Sequence, residues 1–210
     1  MAEFPSARPS SRALRRALVV PLLAAGLSAC ASLGGGGSVQ AIYTLSAPDE
    51  IANLRGSSSS QILIATPMAL DALNTNLIAV RPGPSTLSYY PNVQWADRLP
   101  NVFQATLANA FENTGRVKAV GLPGQSLLIN YQIVTEIRAF QAETTGSDSA
   151  VVEISVKILD DRTGRVRSSR VFRGEQPISG DTVGTAVNGL NKANQAVIEE
   201  IVRWTLSTIG

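Results

Sequence analysis

Two stretches of this chain alternate residue by residue for longer than a loop or a helix would allow. In VVEISVKIL, 151–159, Val152, Ile154, Val156 and Ile158 fall on one side, and Glu153, Ser155 and Lys157 on the other. In LLINYQIVTEIRAF, 127–140, one face takes Leu127, Ile129, Tyr131, Ile133, Ile137 and Ala139; the other takes Asn130, Gln132, Glu136 and Arg138. Side chains on a strand point alternately to opposite faces, so this pattern means one buried face and one wet face. DDRTG, 160–164, reads as a turn, and RVRSSRVFRGE, 165–175, returns beside its predecessor as a hairpin. One-sided alternation favours an antiparallel sheet, and its buried face needs a cover.

Two segments with helical spacing supply that cover. In WADRLPNVFQATLANAFENTG, 95–115, Leu99, Val102, Phe103, Leu107, Ala110 and Phe111 recur at steps of three and four. Asp97 is the expected N-cap, Gly115 follows the end, and Pro100 is tolerated only in the first turn. Over 182–208, Val183, Val187, Leu190, Asn194, Val197, Ile201 and Trp204 repeat at steps of four and three, with Asp181 as the expected cap. Such a helix either lies across the sheet or offers a coiled-coil or partner face. The expected class is α+β: a mostly antiparallel sheet with two main helices, about 95–114 and 182–208, packed on one face. Shorter strands are expected at 41–48, 61–68, 75–83, 85–92 and 115–121, with Pro82-Gly83-Pro84 as a turn and the serines at 57–60 in a loop.

The start of the chain follows a different logic. Arg12, Arg15 and Arg16 flank an apolar run of 13 residues, Ala17 to Ala29. A spanning helix needs about 20 residues, so the run reads as a secretory signal, 1–29. Leu27-Ser28-Ala29-Cys30 then matches a lipoprotein box, an aliphatic residue and two small ones before the cysteine. The thiol can carry a diacylglycerol and the new amino terminus an N-acyl chain; two or more chains give stable anchoring. An incidental cysteine beside an ordinary signal is the alternative. With no second cysteine, an internal disulfide is impossible. Ala31, where Asp would retain a lipoprotein at the inner membrane, favours the outer membrane facing the periplasm. RRALV faintly resembles a twin-arginine signal. ASLGGGGSVQ, within 30–40, reads as a flexible tether.

Charge and composition exclude several functions. The full chain is +2, but residues 1–29 hold four arginines and one glutamate, leaving 14 basic against 15 acidic residues beyond them. An excess of cations facing phosphates is absent, so nucleic acid is not an expected partner. The chain has no histidine, which removes the commonest general base and metal ligand. It has no nucleophile elbow, P-loop or dinucleotide fingerprint. Asp160-Asp161 are paired carboxylates, but they sit where a turn needs Asp. No catalytic residue, metal site or cofactor is expected beyond the lipid on Cys30.

Two features point to contacts instead. Tyr89, Tyr90 and Trp95 cluster before the first helix, either as core packing at its start or as an apolar groove for a partner or lipid. Arg162, Arg165, Arg167, Arg170 and Arg173 crowd one hairpin. Simple alternation places 165, 167 and 173 on one face and 162 and 170 on the other. They either protect a sheet edge from aggregation or meet an acidic partner or lipid headgroups.

The lipobox, Tyr43-Thr44-Leu45 soon after the tether, the 76–81 strand, Tyr89-Tyr90, and Trp95-Ala96 leading to Leu99 occur in an order that resembles the ABC-type transport auxiliary lipoprotein family. These are PqiC-like lipoproteins associated with MCE (mammalian cell entry) lipid transport systems. The resemblance spans nearly all of the chain beyond the signal, and implies that 41–210 is the auxiliary domain. It implies a periplasmic α/β domain tethered by lipid to the outer membrane. The implied partners are an MCE-domain substrate-binding protein, an ABC permease and its ATPase, with self-association into a homo-oligomer as a further option. The implied role is non-catalytic help in moving lipids or other hydrophobic molecules across the envelope. A structural or assembly lipoprotein unlinked to any transporter is the competing reading.

Overall fold

The computed structural model describes residues 41–210. The expected signal segment, Leu27, Ser28, Ala29 and Cys30 of the expected lipobox, and the expected tether to residue 40 lie outside the described residues.

The long alternating stretch becomes β7, Tyr131–Glu143, and both of its edges are bonded. Along one edge runs β8, Ser149–Asp160, antiparallel from Tyr131↔Asp160 to Glu143↔Ser149. β9, Arg165–Pro177, then follows β8 as the expected hairpin. The other edge of β7 is divided between three parallel partners in succession. β2, Ser58–Ile64, takes Tyr131 to Ile133; β3, Met68–Ala69, takes Glu136 and Ile137; β4, Leu77–Gly83, takes Gln141 to Glu143. β6, Val117–Gly121, lies parallel to β2. β5, Thr86–Trp95, pairs antiparallel with β4, and β1, Ala41–Tyr43, pairs parallel with β5. Among the described residues these nine strands form one sheet, mixed but largely antiparallel because its longest ladders are antiparallel.

Among the described residues two helices pack on the sheet: α1, Leu99–Thr114, and α2, Val183–Ile209. They touch each other, and both touch β2, so they lie side by side on one face. Phe103, Leu107 and Phe111 of α1 are fully buried, as are Leu190, Ala193, Ile198, Ile201 and Val202 of α2. Beneath them lie Val152, Ile154, Val156 and Ile158, all fully buried, as their alternation requires. α2 therefore lies across the sheet, with its apolar stripe facing β8 and β9.

Several local expectations are corrected. Leu127 and Ile129 precede β7 rather than entering it, and Leu128 is 87% exposed. Here the Asn130 side chain accepts from the Gln61 backbone N–H at 2.8 Å, and the Gln61 amide donates to the Leu128 carbonyl at 2.7 Å. Those bonds hold the chain in an irregular approach to the sheet. A bulge between Ile137 and Ala139 then shifts the parity, sending Phe140 and Ala142 inward instead of Ala139. Ser58 to Ser60, expected as loop, open β2, because the Arg116 carbonyl and the β6 backbone offer partners that outweigh composition.

Both expected helix caps are displaced. Asp97 accepts instead from the Arg98 N–H and the Asn101 amide. α1 begins without a side-chain cap: Leu99 N–H donates to the Thr75 carbonyl, and Pro100 has no N–H to satisfy. For α2 the cap is Thr182, one residue after Asp181, accepting from Thr185 N–H at 3.2 Å. Gly115 does end α1, in the left-handed region at φ 58°.

α2 sits unusually close to β9. A Cβ on Gly174 would lie 2.6 Å from the Ala193 carbonyl oxygen and 2.9 Å from Val197 Cγ2. On the same helix the Asn194 amide is fully buried with no protein hydrogen-bond partner. Gly174→Ala is expected to cost about 1–3 kcal/mol through overpacking against backbone. Asn194→Leu is expected to raise stability by about 1 kcal/mol, because an unpaired buried amide gives way to a side chain of similar size. Urea denaturation midpoints of the two variants check both; a loss for Asn194→Leu would mean that its amide does useful bonding.

Candidate interaction surfaces

The structure gives the acidic residues structural work. Among the described residues no group of three or more His, Cys, Asp or Glu side chains converges as a metal site would require. Asp160 accepts from the Thr163 N–H and hydroxyl, which close the β8–β9 turn and hold its carboxyl below the ordinary 3.8. Asp161 accepts from the Gln132 amide. The paired carboxylates thus face separate partners instead of sharing a reacting atom. Asp97 is likewise held below 3.8, chiefly by the Asn101 amide at the entry to α1.

Tyr89, Tyr90 and Trp95 all lie on β5, but the strand sends them apart. Trp95 is buried at 1% exposure and meets Phe140 edge-on, with ring centroids 5.9 Å apart. Its indole is core, so it offers no surface to a partner. The packing alternative considered for the cluster describes this residue. Neighbouring positions on a strand face opposite ways, and Tyr89 and Tyr90 obey that rule. Tyr89 is half-buried and donates its hydroxyl to the Ala72 carbonyl at 3.0 Å. Tyr90 is half-buried elsewhere, and burial together with the nearby Asp148 carboxylate pushes its phenol above 10.0.

The bond from Tyr89 pins a segment that the sequence did not single out. Leu70, Ala72 and Leu73 form one wall of a groove of about 240 Å³, which Leu87, Arg81, Arg138 and Gln141 also line. Beside it Met68 is 57% exposed and Leu70 77% exposed. MALDAL, 68–73, carries these apolar residues without a sustained period, so the only signal was hydrophobicity lacking an assigned face. Arg81 is paired with Glu143 at 3.7 Å and Arg138 with Glu136 at 3.4 Å, which leaves the groove apolar with compensated charges at its rim.

The arginines of the hairpin divide differently from simple alternation. The register shifts between Ile158 and Leu159, opposite Val166 and Ser168. Arg167 therefore turns to the helix side, donating to the Thr208 carbonyl at 3.0 Å and lying 5.5 Å above the Tyr131 ring centroid. Arg170 also faces α2, 3.7 Å from Glu200. Arg173 stands on the opposite face with Glu153 and Glu175. Grouping Arg167 with Arg173 fails because one extra residue in β9 inverts the parity.

Two measurements follow from these placements. Trp95→Ala is expected to destabilise the fold by about 3–5 kcal/mol, read from denaturation, since it opens a cavity in the core. Tyr90 ionises later in the folded chain than in the unfolded one. Its contribution to stability is therefore fully present below pH 10.0 and lost as pH rises through its higher folded value. Thermal melts across that alkaline window are expected to show a loss that is smaller in Tyr90→Phe; identical slopes would overturn the assignment.

Residues 43–202 match the ABC-type transport auxiliary lipoprotein component family. The protein bll6063 of Bradyrhizobium diazoefficiens is 26% identical over 177 residues, covering 84% of this chain and 48% of its own length. The chain thus spans about half the length of this curated relative. The crystal structure of XCC0632 from Xanthomonas campestris, described as DUF330, superposes with a TM-score of 0.75 at 27% identity, covering 80% of this chain and 95% of that one. The Chlamydia trachomatis protein CT253 shares the fold at a TM-score of 0.51 and 10% identity, over 72% of this chain and 98% of that one. The matched family is one of auxiliary transport lipoproteins and not of enzymes. Its match runs from the first strand of the sheet well into α2, and on that extent the chain belongs to the ABC-type transport auxiliary lipoprotein component family.

Proposed function

We propose that this protein is a non-catalytic accessory of an ABC transporter, held by lipid on Cys30 at the outer membrane and facing the periplasm. It assists the passage of lipids or other hydrophobic molecules between the membranes. The observation that carries this reading is the family match across residues 43–202. The lipobox Leu27-Ser28-Ala29-Cys30 supplies the anchor chemistry. The partners in this reading are an ABC permease, its ATPase and an MCE-domain substrate-binding protein, with self-association as an added contact. Tyr89 and Tyr90, each half-buried, are the proposed contact residues, with the apolar groove beside Tyr89 as the adjoining surface. Trp95, packed on Phe140 in the core, is not among the proposed contacts.

Crosslinking in native membranes, with a tag after Gly210 and mass spectrometry of what is recovered, tests the reading. Recovery of a permease, an ATPase and an MCE-domain protein is expected, with recovery lowered by Leu70→Ser in the groove. Cys30→Ala is expected to release the protein from the membrane fraction. Recovery of outer-membrane assembly proteins alone would replace the transport reading with the assembly one.

A further inference from the structure

A second surface lies away from the Tyr89 groove, at the C-terminal end of α2. A cleft of about 630 Å³ opens between the segment before β2, the middle of β9 and the last turns of α2. Arg55, Arg170 and Arg203 line it from these three elements, together with Glu200, Trp204 and Ser207. Its volume is in the range of small-molecule sites. The indole of Trp204 is partly buried there and packs edge-on against Phe172 at 5.4 Å, while Arg170 lies 4.8 Å over the Phe172 ring.

The arginines are held in place by backbone. Gly56 adopts φ 83°, and a Cβ on it would lie 3.2 Å from the Leu206 carbonyl oxygen, so the segment before β2 is seated directly on α2. That seat fixes Arg55, its neighbour, at the cleft. Arg203 bridges the same gap, reaching the Ala52 carbonyl at 3.5 Å and Glu199 at 3.8 Å.

A helix C-terminus attracts cations, which would by itself account for arginines here if they met its last carbonyls. The capping is done by other groups. Leu206 carbonyl accepts from Gly210 N–H, Thr208 carbonyl from Arg167, and Ile209 carbonyl from the Ser58 hydroxyl. Among the described residues Arg55 has no carboxylate within salt-bridge distance, and Arg170 holds only Glu200, through an exposed pair at 3.7 Å. Exposed pairs of this kind are worth little and exchange readily. A planar carboxylate is matched by one guanidinium fork; Arg55 and Arg170, arriving from two separate elements, suit an anion with oxygens on several sides.

We propose that this cleft binds a phosphate-bearing ligand, with Arg55 and Arg170 on the phosphate and Trp204 against the adjoining apolar part. Arg170 exchanges Glu200 for the phosphate, and Glu200 acts as an internal competitor. This inference does not depend on the transport reading.

The test is calorimetric titration of the full chain in nonionic detergent and phosphate-free buffer. The probes are inorganic phosphate, glycerol 3-phosphate, and micelles doped with phosphatidylglycerol or phosphatidylcholine. Arg55→Gln and Arg170→Gln are each expected to weaken binding on the order of tenfold. Glu200→Gln is expected to tighten it, an effect that a merely structural role would not produce. All three sites are exposed, and matching thermal melts confirm that the variants fold. Equal binding of the soluble phosphates and the lipids would support the site with a free phosphate ester as ligand. Tighter binding of doped micelles, still sensitive to Arg55→Gln, would support it with a lipid headgroup. No response to any probe, or responses unchanged by both arginine substitutions, would overturn it.

Discussion

Every other element of this sheet takes its place from β7, because β7 is bonded on both edges. One edge is occupied along its whole length by β8. The other is shared in order by β2, β3 and β4, all parallel to it. A strand in this position cannot slip, since a shift of one residue would invert its buried face and break four pairings together. The bulge at Ile137–Ala139 acts within that constraint: it turns Phe140 inward, where the ring meets Trp95 at the end of β5. The strand that organises the pairing thereby also positions the aromatic centre of the core.

The helix layer depends on small residues. α2 reaches β9 where Gly174 leaves room for the Ala193 backbone, and Gly189 stands where a Cβ would meet Ala150 Cβ at 3.0 Å. Close approach lets Ile198, Ile201 and Val202 fill the space between the helices and the sheet, where packing density rather than specific bonding supplies the stability. The Asn194 amide and the Thr135 and Thr205 hydroxyls are the exceptions, buried without a protein partner. Covering one face leaves surface features elsewhere: an apolar groove pinned by Tyr89, and an arginine-lined cleft where the segment before β2 rests on the end of α2.

The largest elements were legible because their patterns are long. The alternation at 151–159 named Val152, Ile154, Val156 and Ile158, which β8 buries beneath the helices together with Ala150, and the spacing of 182–208 placed α2 to within a residue at each end. Short-range cues did less well. Asp97 and Asp181 look like caps, but the Thr75 carbonyl and the Thr182 hydroxyl are the groups that meet the first N–H donors of the two helices. The serines before Gln61 look like loop, yet a neighbouring backbone makes them strand. The candidate contacts were legible only as a cluster in the chain; that Trp95 is core, Tyr89 pins a groove and Tyr90 is half-buried in the region of Asp148 follows from strand direction and burial.

The sequence by itself determined the periodicities, and with them the class of fold, the buried stripe of each helix and the β8–β9 hairpin. It also carried the ordered motifs that resemble the family to which residues 43–202 match. Those signals are local or repetitive, so a linear reading captures them. Only the tertiary structure decided which strands flank β7, where one extra residue inverts the parity of a strand, and which arginines meet. Arg55, Arg170 and Arg203 are far apart in the chain; packing of α2 on β9 brings Arg170 and Arg203 together, and Gly56 lets the segment bearing Arg55 rest on α2 beside them. A contact of that kind depends on the space left between packed elements, and no spacing along the sequence records it.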